Sequence, residues 1–287
     1  MRSKIPGWVV LAFPNLTILV LFFFWPLVMI FGYSMYKYDP LVIFRPTFTW
    51  ENYVKALTDD MYVTAILNTF QISLVTTLLA LVLAYPIAYY LAKIRNRTED
   101  TVISFIVFAP MMVSVVITSF AWVILLSPYG TVYQLLSALN LISGPFRLMF
   151  TKEGIIIGLL YGQLAYMVMT LRSSLERIDW SVINAARIHG ASSFHAFYSV
   201  TLPISLPGIF AGSIVTFSLS LSSFVAPFLL GGRMVKVLSV VIYDNILSTY
   251  NWPLGSATSV VLFVITTISV GLFTYFLQKT RLAWLRT

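Results

Sequence analysis

The chain has 287 residues, 59% of them hydrophobic and 10% charged, with a mean hydropathy of +0.89. A soluble domain carries roughly 25% charged residues, so this surface is built to face lipid rather than water. In so apolar a chain the net charge of +8 reads as loop charge that orients it in a membrane, not as a nucleic-acid footprint, and the lack of cysteine excludes disulfides, thiolate metal sites and cysteine nucleophiles.

A membrane-spanning helix needs about 20 mostly apolar residues. Six spans are predicted, near 9–35, 64–92, 102–127, 154–174, 205–229 and 256–278. The first follows Arg2 and Lys4, as a signal peptide would. Its apolar run far exceeds the roughly 7–15 residues of a secretory segment, so it is read as a retained helix. Pro86 and Pro110 fall inside the second and third spans, and Pro227 near the end of the fifth. Each removes a backbone donor and can kink its helix. The fourth span is the shortest, and its charge-free run ends at Arg172, whose head group can snorkel to the interface. The expected fold class is all-α, a polytopic membrane protein with six transmembrane helices in one transmembrane domain over 1–287. The connections 37–62, 128–153 and 230–255 are too short to fold alone.

Lys and Arg set the orientation. Eleven lie on one side (Arg2, Lys4, Lys93, Arg95, Arg97, Arg172, Arg177, Arg187, Lys279, Arg281, Arg286) and seven on the other. Including the acidic residues leaves +7 against +1. The positive-inside rule then places both termini and the 172–204 segment in the cytoplasm.

The predicted spans contain essentially no ionisable residue. Proton-coupled carriers use buried Asp, Glu or His for their relays. Here both histidines, His189 and His195, lie in the 172–204 segment. The energy source is therefore expected outside this chain, with a sodium-coupled carrier that uses carbonyls and hydroxyls left as the alternative.

That segment exceeds 30 residues, whereas helix–helix connections usually run about 2–8. Asp179 or Ser181 can cap a short helix over 181–189, and Gly190 can end it in a left-handed turn. Ser192 or Ser193 can cap a second helix. Phe194, Phe197, Tyr198 and Thr201 then form one apolar stripe. Pro203 and Pro207 are expected to break the chain, so that the fifth span starts near Pro207. Two helices around a glycine can insert into a partner's cleft or lie flat on the membrane, and local physics leaves both open.

Ala185-Ala186, Gly190 after three residues, and Leu202-Pro203 after eleven more resemble the loop of ABC importer permeases known by its Glu-Ala-Ala motif. Asn184 stands where that family usually has Glu. The resemblance covers about 60–280, the expected permease core, and implies the fold of type I importers. Arg147-Leu-Met-Phe-Thr, Leu229-Leu230-Gly231-Gly232 and Asn251 to Ala257 resemble the spermidine/putrescine branch. Pro227-Phe228 occupies a region where polyamine members often carry an acid.

The resemblance implies that 172–204 is a cytoplasmic coupling loop, docking an ATPase through Asn184, Ala185, Ala186, Arg187, His189, Gly190, Ala191, Phe194 and Pro203. The implied partners are two ABC ATPase subunits that hold ATP and Mg, a second and different permease, an extracytoplasmic substrate-binding protein and the bilayer of the bacterial inner membrane. No cofactor, metal or catalytic residue is expected in this chain, and no nucleic acid. Gln71, Tyr161, Gln163, Tyr166, Ser220, Ser222, Ser223, Phe224 and Phe228 are the candidates for the substrate path. Competing readings are a carrier driven by an ion gradient, a membrane scaffold that recruits a soluble protein, and the same importer with an opine, amino-acid, ferric or oxyanion substrate.

Overall fold

The computed structural model describes residues 7–142, 147–188 and 190–284, with side chains described from 13 to 275 within those ranges. Helix α1 (Gly7–Leu19) widens into a π-turn at Val20–Phe24 and continues as α2 (Trp25–Ser34). A hairpin of β1 (Tyr36–Asp39) and β2 (Ile43–Phe48) leads to α3 (Glu51–Thr58) and α4 (Asp60–Lys93). Then follow α5 (Arg97–Met112), α6 (Val115–Leu126), α7 (Thr131–Ala138), α8 (Lys152–Leu175) and α9 (Trp180–Ile188). Helix α10 (Ser193–Ala196) runs through a π-turn at Phe197–Thr201 into α11 (Leu202–Ser222). A π-turn at Pro227–Gly231, α12 (Leu238–Tyr243), a π-turn at Asp244–Ser248 and α13 (Trp252–Trp284) complete the chain. Among the described residues, six helical stretches are long and apolar enough to cross a membrane: Phe13–Ser34, Asp60–Lys93, Val115–Ala138, Lys152–Leu175, Ser193–Ser222 and Trp252–Tyr275.

Three expectations are corrected. The third span is not continuous over 102–127: Val113 and Ser114 are extended, with ψ of 138° and 132°, between α5 and α6. Pro110 deprives the last turn of α5 of a donor, and the β-branched Val113 favours extended backbone at the break. Conversely, Pro203 and Pro207 do not break the chain. The Leu202 N–H reaches back to the Phe197 carbonyl, a five-residue step that widens the helix just before Pro203 and lets it continue. The fifth span instead ends at Ser222, where Ser223 turns extended (ψ 132°), and Pro227 opens a new turn. The hairpin over 36–48 is an addition that the sequence pattern did not announce.

The chain clusters into two compact units. In the unit Met1–Thr64 with Leu238–Val264, Asn52 ties α3 to the end of α2. Its amide donates to the carbonyls of Ser34 and Tyr36, both at 2.9 Å, which satisfies acceptors left open at a helix C-terminus. Asp39 folds the hairpin. It accepts the Leu41 N–H at 2.9 Å and pairs with Arg45, and the Leu41 N–H is the main cause holding this carboxyl below its ordinary range. Tyr62 donates to Asn245 Oδ1 at 3.1 Å.

In the unit Ala65–Val237 with Ile265–Thr287, α4 presents Ala80, Ala84 and Ala88 at four-residue spacing to Met167, Val168, Leu171 and Leu175 of α8. Small residues let the backbones approach where lipid supplies no hydrophobic drive. Helices α8 and α11 pack still closer: a Cβ on Gly208 would lie 2.3 Å from Ser174 Cβ. Arg172 does not simply snorkel. It bonds Asp100 at 2.9 Å, Glu176 at 2.6 Å and Ser104 at 2.7 Å, and so clamps the start of α5 to the end of α8.

Candidate functional site

Two features of the second unit carry the functional argument: an exposed loop and a cavity, with one helix running between them. The loop begins where Asp179 accepts the Ser181 N–H at 2.9 Å and caps α9. That backbone bond is the first cause holding the Asp179 carboxyl below its ordinary value. Trp180 packs edge-on against Tyr89 of α4, with Lys93 Nζ 4.7 Å above its ring, and Ile183 is buried beside them. This face anchors α9 and leaves the opposite face free.

Helix α9 ends as its glycine predicts. The Ala191 N–H bonds the Ala186 carbonyl at 3.1 Å, the Gly190 N–H bonds the Arg187 carbonyl at 3.0 Å, and Gly190 has φ +90°. This paired closure needs a left-handed residue, which only glycine adopts without cost. Ser192 then caps α10 by accepting the His195 N–H at 3.2 Å.

The predicted stripe splits. Phe197 wedges between Tyr85 and Tyr89, and Thr201 is buried, but Phe194 and Tyr198 are 78% and 65% exposed. The inward face is Ala196, Phe197, Val200 and Thr201, about a quarter turn from the expected one. Small Ala196 lets the helix lie close to α4 on that side. Phe194 and Tyr198 join Ile188, itself 85% exposed, as apolar side chains facing outward.

Between α9 and α10 lies a concavity of about 510 Å³, lined by Asn184, Arg187, Ile188, Ala191, Ser192 and Ser193. Of the predicted docking residues, Asn184, Arg187 and Ala191 line it. Ala185 and Gly190 are exposed beside it, Phe194 is exposed on α10, and Ala186 is half-buried against the core. Pro203 is not brought to the concavity, since it sits ten residues further along the helix. His189 lies outside the described residues.

The cavity holds about 170 Å³. It forms where two interrupted helices meet: Val113 and Val115 from the α5–α6 break, Ser223 and Ala226 from the end of α11, and Tyr161, Gln163 and Tyr166 from α8. Non-helical backbone at membrane depth is tolerated where it is buried in protein or lines a cavity, and transporter sites are commonly built that way. The known lining residues carry no formal charge. Tyr161 packs edge-on against Trp122, and Ser220 supports the wall by bonding Gln163 at 2.6 Å.

The remaining path candidates are elsewhere. Gln71 accepts a bond from Lys152 at 2.7 Å. Ser222 is exposed and returns its hydroxyl to the Ser218 carbonyl. Phe224 and Phe228 stack on each other at 5.2 Å without lining the cavity. Sequence reasoning missed Val113, Thr118 and Ser119, which do line it. Pro110, read there only as a kink, was the available signal. Among the described residues no group of three or more His, Cys, Asp or Glu is placed to hold a metal.

A family model described as "Binding-protein-dependent transport system inner membrane component" matches residues 84–282. The chain belongs to that family. This permease is 35% identical over 247 residues to the spermidine/putrescine transport system permease protein PotB of Escherichia coli (strain K12), covering 86% of this chain and 89% of the relative. It is 30% identical over 255 residues to PotB of Haemophilus influenzae, covering 89% and 88%. Its fold matches the crystal structure of a bacterial ABC transporter that imports the acidic polysaccharide alginate, with TM-score 0.79 at 18% identity, over 95% of this chain and 96% of that one. The permease is thus an inner-membrane component with the fold of an ABC importer subunit. Its relatives are transport permeases rather than enzymes, and membership of a binding-protein-dependent family replaces the ion-driven carrier reading.

Proposed function

We propose that this permease forms half of the translocation path of an ATP-driven importer for polyamines. The relatives supply the substrate class. Inside the chain, one observation carries the mechanism. The helix that leaves the docking loop at Ser193 runs to Ser222 without interruption, and Ser223 beyond it lines the cavity. At about 1.5 Å per residue this stretch spans about 45 Å, and one continuous helix, with the π-turn at Phe197–Thr201 and Pro203 and Pro207 in its first half, links the loop to the cavity.

The excess of Lys and Arg on the side that holds both termini and 172–204 supports a cytoplasmic loop and cytoplasmic termini. There Asn184, Arg187 and Ala191, with exposed Ala185, Gly190 and Phe194, would meet one of two ATPase subunits, which bind ATP and Mg. A second, different permease and an external binding protein complete the assembly. At the cavity, Tyr161 and Tyr166 supply aromatic rings suited to an ammonium group, and Gln163 and Ser223 carry side-chain oxygens. A neutral lining discriminates by ring faces and amides rather than by a carboxylate.

Calorimetric titration of the cognate binding protein with putrescine and spermidine, beside opines and amino acids, tests the substrate. Uptake of labelled putrescine by proteoliposomes holding the whole assembly tests the permease. Tight polyamine binding with ATP-dependent uptake is expected. Binding of another panel member alone would move the substrate assignment to that compound.

A further inference from the structure

The loop carries formal charge of one sign. From Trp180 to Pro203 there is no Asp or Glu, and the ionisable residues are Arg187, His189 and His195, with Tyr198 the lone phenol. The acids just upstream are engaged elsewhere. Asp179 caps the start of α9, eight residues and about 12 Å along the axis from Arg187, and Glu176 pairs with Arg172. Arg187 is exposed, lines the concavity and makes no ion pair among the described residues.

The rest of the wall agrees with Arg187 in sign. Ser192 and Ser193 open α10, the first turn of a 30-residue helical run, whose leading N–H groups have no partner inside the helix and carry partial positive charge. Asn184, three residues before Arg187, is neutral. A carboxylate at that position would pair with Arg187 along α9. It would consume the cation and repel an incoming anion.

We propose that the concavity between α9 and α10 receives a carboxylate side chain from the surface of the ATPase partner, with Arg187 as its counter-ion and Asn184 as a neutral donor beside it. This rests on the docking role given to the loop above. The charge pattern selects the partner: a cleft that presents an acid and apolar ground for Ile188, Phe194 and Tyr198. Asn184 is then a fitted residue rather than a lost one. An anionic lipid headgroup shares the carboxylate's charge, and the test separates the two.

The test uses the complete importer, with cognate ATPase, second permease and binding protein, in nanodiscs of phosphatidylcholine with or without phosphatidylglycerol. ATPase retention across a salt series and binding-protein-stimulated ATP hydrolysis are the readouts. Arg187→Glu is expected to weaken ATPase binding by roughly tenfold or more at low salt, because it sets like charges against each other. Arg187→Gln should weaken it less and flatten the salt dependence. Asn184→Glu should weaken it in both lipid compositions. Binding by Asn184→Glu as tight as the parent's, or tighter, overturns the proposal, as does an unaffected Arg187→Glu. An Arg187 effect that requires phosphatidylglycerol overturns it in favour of lipid. If Arg187→Glu does not assemble as a folded permease, the milder Arg187→Gln and Asn184→Glu still decide. Gly190→Val tests the docking role itself: full ATPase retention by that variant sinks the underlying reading, whatever the charge variants do.

Discussion

Ser220 of α11 donates its hydroxyl to Gln163 Oε1 of α8 at 2.6 Å, and both residues are buried. The bond ties α11 to the cavity wall, because Gln163 also lines the cavity. Removing one partner of a buried polar pair costs about 1–3 kcal/mol through the group left unpaired. Gln163→Leu is expected to reduce polyamine uptake at least as strongly as Ser220→Ala, since it loses both the helix link and the proposed ligand contact. Initial uptake rates over a range of substrate concentrations separate the two: Gln163→Leu should raise KM, and Ser220→Ala should mainly lower the maximal rate.

Gly190 supplies a second prediction. Its φ of +90° closes α9, and a β-branched side chain cannot adopt that conformation without strain. The site itself is open, with nothing within 4 Å of where a Cβ would sit, so the strain is conformational and not steric. Gly190→Val should leave the spans folded, with an unchanged α-helical circular dichroism spectrum, yet abolish recovery of the ATPase with the permease. Gly190→Asn, which tolerates the left-handed region better, should retain a substantial share.

The difference between these two sites explains what was legible in the sequence. The loop is built from local signals. Asp179, Gly190 and Ser192 act through bonds that span two to five residues, so their capping roles follow from spacing. The spans are equally legible because lipid requires long uncharged runs. The cavity depends on distant partners: Val113, Tyr161 and Ser223 meet only after α5, α8 and α11 have packed. Pro110 and Pro203 show the limit of local rules. One proline precedes a break and the other sits in a continuous helix, and the π-turn at Phe197–Thr201 that separates the outcomes leaves no simple mark in composition.

Asp179 offers a test of the loop's rigidity. Its cap on Ser181 should stabilise the first turn of α9. Its carboxyl is held below the ordinary aspartate value of 3.8, so this contribution is present in full above that value. It is lost as the pH falls through the lowered folded pKa. Across neutral pH the cap is therefore constant. Asp179→Ala should raise hydrogen exchange of the first-turn amides of α9, and Asp179→Asn, which keeps an acceptor oxygen, should not. Equal exchange in the two variants would show that the cap does not hold the helix.

The close approach of α8 and α11 gives the last prediction. Gly208 faces Ser174, and Gly212 faces Met167, where an added Cβ would lie 2.6 Å from Sδ. The two contacts differ in what can yield. A methionine side chain can swing aside, whereas Ser174 Cβ, 2.3 Å from the Gly208 position, is fixed to its backbone. Overpacking of a tight contact costs about 1–3 kcal/mol. Gly208→Ala should therefore lower the melting temperature of the detergent-solubilised permease clearly, and Gly212→Ala much less. On the proposed mechanism α11 carries the coupling stroke, so Gly208→Ala is also expected to reduce uptake even at temperatures where the protein remains folded. Melting temperatures for both variants equal to the parent's would mean that the helices yield freely at Gly208.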